Sequence, residues 1–312
     1  MRPSSGRSRR RSRACVERAV LSLEGLSVGD AFGETFLRNP DLAGDRLSRR
    51  RTLPPPWPWT DDSQMAVAVV EVLVEHGQID QDALARRFAA RYEPQRGYGA
   101  GAQQLLREVR RGRHWESAAR ALFGGDGSLG NGAAMRVAPL GAFFAGDLEL
   151  AAEEAARSAE VTHAHAEGAA GAIAVAVAAA LACESHGAPL EPGAFLRSVE
   201  ERVPAGATRD GIVDASRLAG SVGVSDAARV LGNGSRVTAP DTVPFCLWAA
   251  ARHADSFADA MWATARGLGD IDTNCAIVGG VLALRLGLGG IPLAWRQARE
   301  PLPRVDWFAA PA

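Results

Sequence analysis

The spacing of hydrophobic and polar residues follows the helical period along nearly the whole chain, and no long run alternates with the two-residue period of a β-strand. Apolar residues and good helix formers dominate residues 64–76 and 275–286, and a glycine that can end a helix follows each run. Residues 169–183 form a third apolar run, rich in alanine. Helices that are apolar on every side are buried, so we predict an all-α protein, a single globular multi-helix domain with these helices at its centre.

The segments between these runs predict shorter elements. We expect an amphipathic helix over residues 17–33 and surface helices over residues 80–92 and 100–111. Residues 38–59 are rich in arginine and proline and are expected to form a loop. Residues 187–240 carry the weakest pattern, with proline, glycine and aspartate interrupting short helices.

Charge and length limit the partners of the protein. The net charge is −1, which implies no overall attraction to nucleic acid or to an anionic membrane. Residues 169–183 are shorter than the roughly 20 residues that span a bilayer, so no membrane association is expected. The sequence leaves the oligomeric state open.

The first fourteen residues carry six arginines among serines, and we predict that residues 1–14 form a disordered basic arm before a domain of residues 15–312. A tail that binds nucleic acid and a misassigned start codon are the alternatives for this segment. No apolar segment of a secretory signal follows the arginines.

The four cysteines, at positions 15, 183, 246 and 275, are scattered and have no CxxC spacing. They are interpreted as small buried residues in a reducing compartment, which predicts a cytoplasmic location.

An acidic turn precedes the first apolar run. Thr60 stands at the expected start of a helix, and Asp61 and Asp62 fall in its first turn. Acids at this position can simply complement the positive end of the helix dipole.

The same arrangement occurs a second time, where Asp270, Asp272 and Thr273 precede residues 275–286. If both turns face one another, their carboxylates repel unless cations lie between them. All of the side chains offer hard oxygen ligands, which favours Mg²⁺ or Mn²⁺ over Zn²⁺, and two ions suit the number of charges.

A glycine-rich stretch covers residues 123–132 and contains five glycines. Running into a helix, such a loop can present backbone N–H groups to a phosphate, with Ser128 and Asn131 adding side-chain contacts. A flexible surface loop is the alternative. The stretch lacks the Gly-Lys-Ser/Thr ending of a P-loop.

Three further polar residues, His163, His165 and Glu167, precede the alanine-rich run. They alternate too closely to share one face of a helix, which argues against a zinc site formed by all three. We expect one of them to contact a ligand while the others form local hydrogen bonds.

Taken together, five stretches of the chain resemble the motifs of the ADP-ribosylglycohydrolase family, the group that includes the dinitrogenase reductase-activating glycohydrolase. In chain order they are Gly29-Asp30-Ala31-Phe32-Gly33, Trp59-Thr60-Asp61-Asp62-Ser63, Gly130-Asn131-Gly132-Ala133-Ala134-Met135-Arg136, Thr162-His163-Ala164-His165 and Gly269-Asp270-Ile271-Asp272-Thr273. The resemblance covers roughly residues 20–290.

The resemblance implies an all-α fold with two Mg²⁺ or Mn²⁺ ions at the base of a cleft. The metal ligands it implies are Thr60, Asp61, Asp62, Asp270, Asp272 and Thr273. The substrate-binding residues that we predict on the same basis are Asp30, Gly127, Ser128, Leu129, Gly130, Asn131, Gly132, Met135 and His163.

The implied activity is metal-dependent hydrolysis of the glycosidic bond between ADP-ribose and an acceptor, a protein side chain or a small molecule, by an activated water. Many relatives carry a glutamate seven residues beyond the aspartate of the first motif, where this chain has Leu37. Glu34 lies one helical turn beyond Asp30, and we predict Glu34, Asp62 and Asp272 as catalytic residues. The departure at Leu37 leaves a non-catalytic ADP-ribose-binding protein as the alternative, and a two-metal phosphoesterase as a third.

Overall fold

The computed structural model describes residues 12–38, 40–218 and 222–308, and within these ranges it has sixteen α-helices, four short 3-10 helices and no β-strand. The α-helices are α1 (Arg13–Leu37), α2 (Pro40–Ser48), α3 (Asp61–His76), α4 (Gln81–Arg91), α5 (Ala100–Arg110), α6 (Trp115–Arg120), α7 (Ala138–Phe143), α8 (Leu148–Glu160), α9 (Ala166–Glu184), α10 (Pro192–Glu200), α11 (Ala207–Arg217), α12 (Val224–Leu231), α13 (Ala239–Arg252), α14 (Phe257–Arg266), α15 (Ile271–Leu286) and α16 (Leu293–Ala298). The 3-10 helices are Pro94–Arg96, Leu122–Gly125, Asn131–Ala133 and Leu288–Gly290.

The apolar runs of the sequence form the centre of the molecule, as predicted. Helix α3 ends at Gly77, which takes the left-handed conformation expected of a C-cap glycine. Helices α9 and α15 are buried on nearly all sides and pack against each other, and α15 also packs along α1. The all-α class is therefore confirmed.

Helix α9 is longer than the run from which it was predicted. Its 19 residues are long and apolar enough to cross a membrane by length and composition. However, 72% of its most apolar window is buried inside the protein, which agrees with the predicted position at the centre of the fold.

Helices α1 and α15 approach so closely that their backbones touch. Gly25, Gly29 and Gly33 lie four residues apart and therefore on one face of α1. A Cβ atom on Gly29 would overlap the carbonyl oxygen of Cys275, and one on Gly33 would lie 2.5 Å from the Cα atom of Asp272. This contact brings the acidic part of α1 against the start of α15.

We expect Gly29→Ala to lower the free energy of unfolding by about 1–3 kcal/mol, because the added methyl group meets backbone atoms that cannot rotate away. Gly44→Ala is the matched control: it lies in α2, and its Cβ would have no neighbour within 4 Å. Alanine is the better helix former, so the control should be unchanged or stabilised by up to about 1 kcal/mol. Urea unfolding of both variants tests this, and equal effects would contradict the close packing.

Two predictions about the first sixty residues are wrong. Residues 38–59 are not all loop, because α2 forms within them. Helix α1 also starts earlier than expected, at Arg13, with the Ser12 side chain accepting a hydrogen bond from the backbone N–H of Cys15. The predicted basic arm thus overlaps the helix at its last two positions, and residues 1–11 lie outside the described residues.

The cysteines only partly match their prediction. All four are free thiols, and Cys246 and Cys275 are buried. Cys15 and Cys183 are partly exposed.

Candidate metal centre

The first acidic corner is the start of α3. Thr60 is its N-cap in extended conformation, and Asp61 and Asp62 occupy the first turn, as predicted. The Thr60 side chain does not cap the helix. Its hydroxyl instead lies 2.8 Å from Asp30 Oδ1 and 2.9 Å from Asp62 Oδ2.

Asp30 is the buried support of this corner. Its carboxylate is fully buried and accepts hydrogen bonds from the backbone N–H groups of Thr60 and Ser63 and, at 2.6 Å, from the Ser63 hydroxyl. The side chain has no exposed surface, and the predicted contact of Asp30 with substrate stays a prediction. The carboxylate holds the start of α3 against α1.

The second acidic corner is the start of α15. Asp270 is the N-cap and Asp272 lies in the first turn. The carbonyl oxygen of Asn233 accepts hydrogen bonds from the backbone N–H of Asp270, at 3.2 Å, and from Asn274 Nδ2, at 2.7 Å. A Cβ on Gly234 would lie 2.7 Å from the Asp270 Cβ, so this loop supports the corner tightly.

Sequence reasoning missed the contribution of Asn233. It lies in the segment with the weakest pattern, where no role was predicted. The one available signal was the tripeptide Gly232-Asn233-Gly234, which repeats the Gly-Asn-Gly of residues 130–132.

The two corners meet. Asp30, Asp62 and Asp272 each have a carboxylate oxygen within 4.8 Å of the others. One oxygen of Asp62 and one of Asp272 are buried without a hydrogen-bond partner among the residues that the structure describes. Buried carboxylate oxygens are normally paired, and an orphaned pair of hard oxygens beside a third carboxylate fits a divalent cation.

The crowding changes the acidity of these carboxyls. Burial, followed by the neighbouring carboxylates, holds the pKa values of Asp62 and Asp272 well above their usual range. Burial, then Asp30 and Asp270, raises the pKa of Asp61 to about 8. Without cations, the centre would therefore keep protons at pH values where exposed aspartates are ionised.

The glycine loop, residues 127–132, is attached to the second corner. Asn131 Nδ2 donates to Asp270 at 2.7 Å and lies 3.1 Å from the Thr242 hydroxyl. Residues 129–131 also pair with residues 237–239 through an isolated antiparallel bridge. The loop and the acidic corner therefore form one connected unit.

The loop does not lead directly into an α-helix, which corrects the predicted phosphate site at a helix N-terminus. It ends in the 3-10 turn Asn131–Ala133, and α7 begins only at Ala138. The N–H of Gly130 donates to Ser128 Oγ at 3.1 Å, and that of Asn131 donates to the carbonyl of Val237 at 3.2 Å. Leu129, Gly130 and Gly132 are partly exposed, whereas Gly127, Ser128, Asn131, Met135 and His163 are buried.

His163 packs against the loop. Cβ atoms on Gly130 and Gly132 would each lie 3.3 Å from its Nε2, and its Nδ1 lies 2.7 Å from the Thr162 hydroxyl. Burial, followed by the charge of Arg136, lowers the pKa of His163 to about 3, so the imidazole is neutral. A ligand contact of His163 stays a prediction.

The local role expected of the neighbouring residues is confirmed for His165, whereas the Glu167 carboxylate bonds residues about forty positions away. His165 is the N-cap of α9 and accepts a hydrogen bond from the N–H of Glu167. The Glu167 carboxylate accepts hydrogen bonds from the backbone of Ala207 and Thr208.

Arg136 is a buried cation beneath the loop, and no role was predicted for it. Its guanidinium donates to the carbonyl oxygens of Gly132, at 3.2 Å, and Ser158, at 2.7 Å, and lies over the ring of Phe88. Burial lowers the pKa of Arg136 to about 9, so the side chain remains charged at neutral pH.

Glu34 lies one turn beyond Asp30 on α1. Arg38 Nε donates to its carboxylate at 3.2 Å. Burial raises the pKa of Glu34 against the opposing effect of Arg38, and Asp30 adds to the increase. Leu37, at the end of the same helix, is partly buried and packs against the hydrophobic core.

Comparison with known proteins agrees with this geometry. A family model described as ADP-ribosylglycohydrolase matches residues 11–310. Human ADP-ribosylhydrolase ARH3 is 29% identical over 284 residues, which cover 80% of this chain and 77% of the human protein. A solved structure titled ADP-ribosylglycohydrolase-related protein complex superposes with a TM-score of 0.66 at 26% identity and covers 93% of this chain and 94% of that one.

Other alignments are shorter. Chicken ADP-ribosylhydrolase ARH3 is 34% identical over 179 residues, or 50% of this chain. In that alignment the chain spans about half the length of the relative, at 47%.

Proposed function

The chain belongs to the ADP-ribosylglycohydrolase family, and on that premise we propose that it hydrolyses the glycosidic bond between ADP-ribose and an acceptor with divalent cations held between its two acidic corners. The observation that carries the proposal is the pair of buried oxygens of Asp62 and Asp272, which have no hydrogen-bond partner within the described part of the chain. Each belongs to a different corner, and a third carboxylate, Asp30, lies beside them.

The proposed centre contains two Mg²⁺ or Mn²⁺ ions. The residues that would hold them are Thr60, Asp61, Asp62, Asp270, Asp272 and Thr273, with Asp30 fixing the first corner from behind. When bound, the ions would supply positive charge for the ribose hydroxyls and lower the pKa of water.

The chain itself contributes charge and orientation. Cleavage at the anomeric carbon builds positive charge on the ribose, and the negative charge of the two acidic corners would help to stabilise it. Asn131 fixes the Asp270 carboxylate through its hydrogen bond. Glu34 is proposed as the group that transfers a proton, since burial favours its protonated form.

The substrate is proposed to be a compound that contains ADP-ribose, with a modified protein as one source. The partly exposed Leu129, Gly130 and Gly132 would face its diphosphate, and the buried charge of Arg136 would favour an anion at this loop. The comparisons give no support to the non-catalytic alternative, and the human relative is itself named a hydrolase.

A panel of ADP-ribosylated proteins and small molecules tests the proposal. Purified protein should release free ADP-ribose from at least one member in the presence of Mg²⁺ or Mn²⁺, and EDTA should stop the release. Binding of ADP-ribose by calorimetry without turnover on any linkage would contradict the enzymatic function. Cleavage of nucleotide phosphates alone would indicate a phosphoesterase.

Glu34→Gln should lower the rate of ADP-ribose release by about 10²–10⁴-fold, because glutamine keeps the shape of the side chain but cannot transfer a proton. Glu17→Gln is the matched control, since Glu17 lies on the same helix and is also paired with an arginine four residues away. Rates measured at saturating Mn²⁺ for both variants give the comparison. Equal rates would exclude Glu34 from the reaction.

A further inference from the structure

The segment that enters the first acidic corner is held by residues close to α16. Trp57 donates its backbone N–H to the carbonyl of Ala298, and Glu300 donates its N–H to the carbonyl of Trp57, each at 2.7 Å. The Trp59 indole N–H lies 3.4 Å from the carbonyl oxygen of Pro301. Residues 298–301 therefore follow residues 57–59 side by side.

Arg96 joins these two segments to a third. Its guanidinium forms two parallel hydrogen bonds with the Glu300 carboxylate, at 2.8 and 3.0 Å, and donates to the carbonyl of Trp59 at 3.0 Å. It also stacks on the indole of Trp59, 3.3 Å from the ring centroid. A fork-shaped pair that also stacks on an aromatic ring fixes orientation far better than an isolated surface ion pair.

The residues that follow Trp59 and Arg96 along the chain lie at the metal centre. Thr60 comes directly after Trp59, and Gly97 comes directly after Arg96. A Cβ on Gly97 would lie 3.5 Å from Asp61 Oδ1 and 3.9 Å from the Thr60 Cβ. The Tyr98 hydroxyl then donates to Gln64 on α3 at 2.7 Å.

We propose that the Arg96–Glu300 pair is a positioning element of the metal centre, through which residues 298–301 set the position of Thr60 and Asp61. This inference rests on the cation site of the proposed function. The pair does not touch the ions. It fixes Trp59, directly before Thr60, and Arg96, directly before the Gly97 that lies against Asp61. Loss of groups that orient ligands typically weakens metal binding about 10–100-fold.

Manganese binding by the full chain, measured by isothermal titration calorimetry, tests the inference without any substrate. Glu300→Ala should raise the dissociation constant for Mn²⁺ about 10-fold or more. Arg96→Lys should act in the same direction, because lysine keeps the charge but has neither the planar fork nor the stacking face. The control is Arg296→Ala, which removes a contact from α16 to Glu24 but none to residues 57–59.

Far-UV circular dichroism and thermal melts establish that each variant is folded, and if Glu300→Ala does not fold, Arg96→Lys decides the question. If a folded Glu300→Ala or Arg96→Lys variant binds Mn²⁺ as tightly as Arg296→Ala does, the positioning role is overturned. The metal centre itself would still stand. A wild-type protein that binds no Mn²⁺ would instead overturn the centre itself.

Discussion

Asp62→Asn and Asp272→Asn should each lower the rate of ADP-ribose release by about three orders of magnitude, because a bound cation contributes several kcal/mol to the reaction and each 1.36 kcal/mol corresponds to a factor of ten. Asparagine preserves the size of the side chain but carries no charge. Each variant removes the negative charge of a carboxylate that has one buried oxygen without a partner among the described residues. Rates should be measured across a range of Mn²⁺ concentrations, since weakened binding is partly restored by excess metal.

Asp41→Asn is the control for these variants. Asp41 also lies in the first turn of a helix, α2, but it is exposed. The metal-free Asp62 and Asp272 variants should unfold at the same temperature as the wild type or higher at pH 7, because asparagine replaces a carboxyl whose charged form is opposed first by burial and then by the neighbouring carboxylates. Normal activity in either variant would show that the acidic corners do not carry the reaction.

The stability gained from metal should increase with pH. In the metal-free protein the pKa values of Asp61, Asp62 and Asp272 are raised, so the folded state binds more protons than the unfolded state above about pH 4. The free energy of unfolding then falls as the pH rises through the pKa values of the folded state, of which that of Asp61 is about 8. Cations neutralise the repulsion and remove this loss.

Thermal melts with Mn²⁺ and with EDTA, at pH 5 and pH 8, measure the effect. At a Mn²⁺ concentration 100-fold above the dissociation constant, binding adds about 2.7 kcal/mol, which is about 5 °C in a protein of this size. We expect at least this difference at pH 8 and a smaller one at pH 5, where protons compete with the metal. The Asp62→Asn/Asp272→Asn double variant should lose most of it. A difference that is larger at pH 5 than at pH 8 would contradict the assignment of the raised pKa values to the metal ligands.

The parts of the fold that sequence predicts well are those with a strong local signal. Apolar runs ended by glycine gave α3 and α15, and the turns that precede them gave both acidic corners. Helix α2 was missed because only Ala43 and Leu47 among residues 41–48 are buried apolar positions, too few to reveal a helical period.

The contacts within the site depend on residues that are distant in the sequence. Asp30 stands in a motif beside other acids, and spacing along the chain cannot distinguish a carboxylate that faces a ligand from one that accepts hydrogen bonds from Thr60 and Ser63, about thirty residues away. Asn233 supports the second corner through another long-range contact, in which its backbone carbonyl accepts the N–H of Asp270. Every residue has such a carbonyl, so the residue type did not predict this contact.

The contact between α1 and α15 has a consequence for the order in which the molecule assembles. It joins Gly29 to Cys275, positions roughly 250 residues apart, and pairing over such separations is slow because the intervening chain must first be confined. Until residues 270–275 have been made, the glycine face of α1 lacks the helix that packs against it, and the two acidic corners cannot meet. The metal site therefore forms only after most of the chain has been synthesised, and until then no complete site is present to bind an ion.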